Sequence, residues 1–114
     1  NRNNLIINVK DNIVFNINDM ELERIVDNTI AISIEKSSLD KNILISFNGK
    51  CIEFKVLTNN TDENNIFDKK RKMIIKDTTS LGIGIYLIKK ICIKYNILYE
   101  YKVNPDGFTI KYTW

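Results

Sequence analysis

Histidine is absent from the chain, and that removes more chemistry than any single motif adds. Serine and cysteine triads built on an imidazole, histidine-ligated metals and histidine general bases all drop out. Cysteine is scarce. Cys51 and Cys92 lie far apart with no C-x-x-C, so two reduced, buried thiols are expected rather than a disulfide or a metal site, which suits a cytoplasmic location. No apolar run approaches the roughly 18 residues of a spanning helix, so this segment is expected to have no direct membrane contact. The chain opens on Asn1 without a signal-peptide pattern and is expected to be a segment of a longer protein. Charge of one sign is also lacking. The net +3 from 17 basic and 14 acidic residues is small, and the basic residues gather on no helical stripe, so nucleic acid is not an expected partner.

What is present fits one globular domain over residues 1–114, with 44% apolar and 27% charged residues. Isoleucine, asparagine and lysine are abundant throughout, at 21, 16 and 14 residues, so an isolated Asn or Lys means little until its context is known.

Periodicity divides the chain into elements. Leu5–Lys10 and Ile13–Ile17 are β-branched runs around Asp11-Asn12, which predicts two strands joined by a tight turn. Asn18 with Glu21 three residues later resembles a capping box, and Leu22, Ile25, Val26, Thr29 and Ser33 follow at helical spacing. A helix is predicted from about Asp19 to about Glu35, although Ile30, Ile32 and Ile34 alternate as a strand would. Ile43–Phe47 and Cys51–Thr58 flank Asn48-Gly49, a hairpin signature. Residues 59–80 are polar apart from a few anchors such as Ile66, Phe67 and Met73, and a stretch this long in a small domain reads as a lid. Ile85, Ile88, Ile91, Cys92 and Tyr95 predict a second helix, opened by Gly82 and Gly84. Ile97–Val103 and Phe108–Trp114 close the chain as a hairpin around Asn104-Pro105-Asp106-Gly107. This order predicts an α+β domain with helices on one face of a mixed, mostly antiparallel sheet.

Ser80-Leu81-Gly82-Ile83-Gly84-Ile85 stands where a helix begins, and glycines there let backbone amides approach an anion at the positive helix end. The same glycines would equally serve a tight turn and a close packing contact. Taken with the order of the other parts, this segment resembles the second glycine box of the ATP-binding catalytic domain of bacterial sensor histidine kinases, a two-layer α/β sandwich of the Bergerat type. Glu21-Leu22-Glu23-Arg24-Ile25-Val26-Asp27-Asn28-Thr29-Ile30 is similar to that family's asparagine-box helix. Ile66-Phe67 resembles its phenylalanine box, and Gly107-Phe108-Thr109-Ile110 its closing glycine-threonine strand. The resemblance implies ATP and magnesium as cofactors. Asn28, Thr58, Asn59, Lys70, Gly82, Ile83, Gly84, Ile85 and Thr109 become the nucleotide-binding candidates, with Asn28 also the candidate metal ligand.

Several chemistry-bearing positions depart from the family pattern. With Asn28 as the first asparagine of N-x-x-x-N-A-x-K-[YF], the second falls on Ile32, which has no oxygen for magnesium. The lysine and aromatic positions become Glu35 and Lys36. A register shifted by four makes Asn28 the second asparagine, but Arg24 then replaces the first and Ala31 the lysine. The carboxylate that reads adenine becomes Thr58, and both glycines of that box are gone from Asn59-Asn60-Thr61-Asp62. Lys69, Lys70, Arg71 and Lys72 in the lid would screen a triphosphate, or simply form a solvated charge run.

Two functions follow from the resemblance. The first is presentation of ATP for phosphoryl transfer to a histidine outside this segment, in a helical dimerisation and phosphoacceptor domain, with a response regulator downstream. The second is a degenerate, non-catalytic domain that docks on such partners, for which Phe67 and Met73 in the lid would be contacts.

Overall fold

In the computed structural model, which describes residues 4–9, 15–36, 42–58, 66–67 and 80–114, the elements follow in the order β1 (Asn4–Val9), α1 (Asp19–Lys36), β2 (Asn42–Asn48), β3 (Cys51–Leu57), α2 (Ser80–Tyr95), β4 (Leu98–Asn104) and β5 (Gly107–Thr113). The five strands form one sheet in the order β1-β2-β3-β5-β4, parallel between β1 and β2 and antiparallel elsewhere. The expected α+β class is therefore observed. Both helices contribute buried residues to the single core, on the sheet face carrying Ile43, Ile45, Ile52, Phe54, Val56, Phe108, Ile110 and Tyr112.

Among the described residues β1 has no antiparallel hairpin partner. β1 pairs with β2, from Asn4 opposite Asn42 to Val9 opposite Phe47, and α1 supplies the crossover that a parallel neighbour requires. Phe15–Asn18 joins no strand. Its apolar character has another use: the Phe15 ring packs on Trp114 at 4.4 Å and lies 6.4 Å from Phe47, anchoring the entry to α1. Residues 10–14 lie outside the described residues.

Helix α1 is capped by Asn18, whose side-chain oxygen accepts the Met20 amide at 2.9 Å while its carbonyl accepts the Leu22 amide. The capping box stays half made, since Glu21 bonds to α2 rather than back to Asn18. The ambiguous isoleucines are helical, with Ile32 in the core and Ile34 exposed on the next face. Two hydroxyls on the buried face are paired. Thr29 Oγ1 donates to the Ile25 carbonyl at 2.6 Å and so accepts from Tyr112 Oη at 2.7 Å. Ser33 Oγ donates to the Thr29 carbonyl, and this pairing lets polar atoms sit in an apolar layer.

Helix α2 ends in a Schellman motif. Asn96 takes the left-handed conformation at φ 57°, the Ile97 amide reaches back to the Cys92 carbonyl at 2.8 Å, and the Asn96 amide to Ile93. The β2–β3 turn is centred on Gly49-Lys50, one residue later than expected, because Asn48 pairs with Cys51. Gly49 alone supplies the positive φ, the pattern of a II′ turn. Asn104 opposite Gly107 makes Pro105-Asp106 the last turn. A Cβ on Gly107 would overlap the Val56 carbonyl, so only glycine allows β5 this approach to β3.

Candidate functional site

Where α1 and α2 pack together, Asn28 and Gly84 meet. The Asn28 amide nitrogen donates to the Arg24 carbonyl one turn back at 2.8 Å, which turns Oδ1 toward α2. A Cβ on Gly84 would lie 2.7 Å from that oxygen. The two expected site residues are brought together, and what joins them is an interhelical packing contact.

The other candidates are distributed around this pair. Gly82 is buried in the first turn of α2, the positive end of the helix. Ile83 is exposed, whereas Ile85 belongs to the core, so the two neighbours face opposite sides of the helix. Thr58 is buried at the end of β3, its amide donating to the Asp106 carbonyl at 3.0 Å. Thr109 lies elsewhere. Strand alternation sends Phe108, Ile110 and Tyr112 toward the helices and Thr109 to the opposite face. There it lines a groove of about 290 Å³ with Glu53, Lys55, Glu100, Lys102 and Lys111, and its hydroxyl bonds to the Asn104 amide at 2.6 Å. Asn59 and Lys70 fall outside the described residues, as does most of the expected lid; Ser80, its last position, already belongs to α2.

Phe67 is not available as a docking contact. It is buried, with its ring 4.8 Å from Tyr99 and 6.3 Å from Tyr112. An isolated aromatic in a polar stretch is an anchor in this fold, and Ile66 is buried beside it. Met73 lies outside the described residues.

One polar cluster went unread in the sequence. Glu21 in the first turn of α1 accepts from Tyr95 Oη at 2.5 Å and from Lys94 Nζ at 3.1 Å, tying the start of α1 to the end of α2. The Tyr95 hydroxyl and then the Lys94 ammonium hold the Glu21 carboxyl below its usual range, and Glu21 raises the Lys94 ammonium above its own. Glu21 was visible as a capping residue, but its partners are more than 70 positions away and no local pattern indicates them.

No protein-family profile and no curated protein matches the chain. Solved structures do. The cytoplasmic segment of histidine kinase QseC superposes with a TM-score of 0.70 at 10% identity, over 99% of this chain and 58% of that one. The mycobacterial sensor histidine kinase MprB superposes with a TM-score of 0.66 at 12% identity, over 97% of this chain and 80% of that one. This is the fold of sensor histidine kinase cytoplasmic segments.

ATP and magnesium are what the sequence resemblance leads one to expect, and the described residues suit these two unequally. The start of α2 is chemically suited to a phosphate. A magnesium ion needs oxygen donors. Ile32 is 1% exposed and sits within the apolar core, so in the register that opens on Asn28 the second position of the box is turned away from any cleft. No group of three or more histidine, cysteine or acidic side chains able to hold a metal occurs among the described residues. Among the described residues no helix is long and apolar enough to cross a membrane.

Proposed function

We propose that the chain is a histidine-kinase-type domain of a two-component sensor protein whose nucleotide cleft is reduced, so that it acts as a regulatory or docking module rather than as a phosphoryl donor. The observation that carries this reading is the use made of the asparagine-box helix. Ile32 is a core residue, and Asn28 is engaged with the Arg24 carbonyl and Gly84. Phosphoryl transfer depends on positioning and on charge neutralisation by metal. In the register that opens on Asn28, a helix without an oxygen at the second position supplies little of either.

A second reading is favoured by the start of α2, where Gly82 lies at the positive helix end. In this reading the domain binds ATP and presents it to a histidine in a helical dimerisation domain, with a response regulator as the next partner. Since the chain has no histidine, the acceptor lies in another segment or another protein.

Calorimetric titration with ADP and with a non-hydrolysable ATP analogue, each with and without magnesium, separates the two. The reduced-cleft reading expects no magnesium-dependent binding up to about millimolar nucleotide. Magnesium-dependent binding at about micromolar strength, roughly −8 kcal/mol, would establish the second reading.

A further inference from the structure

At the end of α2 remote from Gly82 and Gly84, separated stretches of the chain enclose a cleft of about 380 Å³. Phe15 comes from the entry to α1, Tyr95 and Asn96 from the end of α2, Lys50 from the β2–β3 turn, and Trp114 directly follows β5. Three rings make the walls apolar, with the centres of Phe15 and Trp114 4.4 Å apart. Lys50 is the one charged residue in the lining, and among the described residues no acidic side chain faces it there. The Trp114 indole nitrogen is buried and, alone among the buried side-chain nitrogen and oxygen atoms of the described residues, has no hydrogen-bond partner. A buried donor without an acceptor is a cost that folded proteins rarely leave standing. The Tyr95 hydroxyl is already committed to Glu21, so the indole N–H and the Lys50 ammonium are the groups that select an occupant.

From this we infer that the cleft is a binding site for a small aromatic carboxylate. Apolar walls with a few placed polar groups are the usual make-up of a small-molecule site, and the volume suits a ligand of one ring and a short acid arm. The ligand ring packs among Phe15, Tyr95 and Trp114, where offset and edge-on contacts between rings are favourable. Its carboxylate meets the Lys50 ammonium and accepts the Trp114 N–H, a charge-assisted bond that supplies the missing partner. The Trp114 side chain is partly exposed while its nitrogen is covered, so the acceptor reaches the N–H through a small turn of the indole in the cleft wall. The inference uses no nucleotide and stands apart from the reading of the asparagine-box helix.

Trp114 is the only tryptophan in the chain, so its emission and its single indole N–H resonance report on the cleft directly. The test titrates the full chain with phenylpropionate, with phenylpropanol, which keeps the ring and loses the charge, and with hexanoate, which keeps the charge and loses the ring. Phenylpropionate is expected to change the emission saturably with a Kd of about 1 mM or tighter, and the other two to bind at least about tenfold more weakly. At saturation the indole N–H resonance should move downfield as the bond to the carboxylate forms. Lys50→Ala is expected to weaken phenylpropionate by at least about tenfold and to leave phenylpropanol unchanged. Lys50 is exposed and its carbonyl, which accepts the Trp114 amide, is retained in the variant, so the melting temperature should hold. No saturation up to about 10 mM, equal affinity for acid and alcohol, undiminished binding to Lys50→Ala, or an unmoved indole resonance would each overturn the proposal. So would an emission change driven by protein concentration alone, which would put a second copy of the chain in the cleft.

Discussion

A methyl group added at Gly84 meets the far end of one side chain, whereas at Gly107 it meets the carbonyl of a neighbouring strand. The two glycines should therefore respond differently. Gly107→Ala is expected to lower stability by about 1–3 kcal/mol, since the Val56 backbone cannot move away without breaking the β3–β5 ladder. Gly84→Ala should be near neutral alone, helix propensity offsetting displacement of Asn28. In an Asn28→Ala background it should stabilise by about 1 kcal/mol. Urea unfolding of the two singles and the double measures that coupling, and additivity would remove the packing role assigned to the pair. Ile32→Asn, which restores the family's residue in the sequence, should destabilise by about 3 kcal/mol or more by placing an amide in the core. The identities of Asn28 and Gly84 were legible in the sequence, but their spatial relation was not, because it depends on how two helices cross. The orientation of Thr109 was legible. Its neighbours Phe108, Ile110 and Tyr112 alternate at period two, which places Thr109 on the opposite face.

At the scale of elements, ionisation links the helix pair to pH. The Glu21 carboxyl is held below its unfolded value by Tyr95 and Lys94, so its contribution is present above the ordinary glutamate range and fades as pH falls through the lowered folded value. Thermal melts of the chain and of Glu21→Gln should differ at pH 7 and converge in acid. The Lys94 ammonium is raised, so its contribution is full below its unfolded value and fades as pH rises through the raised folded value. At the same end of α2, Asn96→Val should cost about 1–2 kcal/mol by placing a branched side chain at φ 57°. Both helices and the two antiparallel hairpins were readable from periodicity and turn residues. The partner of β1 was not, because a parallel neighbour is chosen by a crossover through α1 rather than by an adjacent turn. The β2–β3 turn was displaced by one residue since Gly49 alone meets the conformational demand.

Over the whole molecule, the two thiols report on the integrity of the core. Burial pushes the Cys92 thiol up to about 12, and Cys51, half-buried at the start of β3, is raised less. At pH 8 a thiol reagent should therefore modify Cys51 first, with Cys92 reacting only as fast as the chain opens. Mass spectrometry of partly labelled protein distinguishes the two sites. Prompt labelling of Cys92 would mean that the layer between α2 and the sheet is looser than its packing.

The strand order also has a kinetic consequence. The β2–β3 and β4–β5 hairpins join neighbours in sequence and can form on a timescale of about 1–10 μs. The sheet becomes continuous only when Leu57 meets Gly107 and Cys51 meets Thr113, a closure that draws together the two ends of an intervening segment containing the whole of α2. That loop must be ordered before its contacts reward it. The β3–β5 seam is thus the natural place for the folding barrier, and substitutions along it should slow refolding more than those in either hairpin turn.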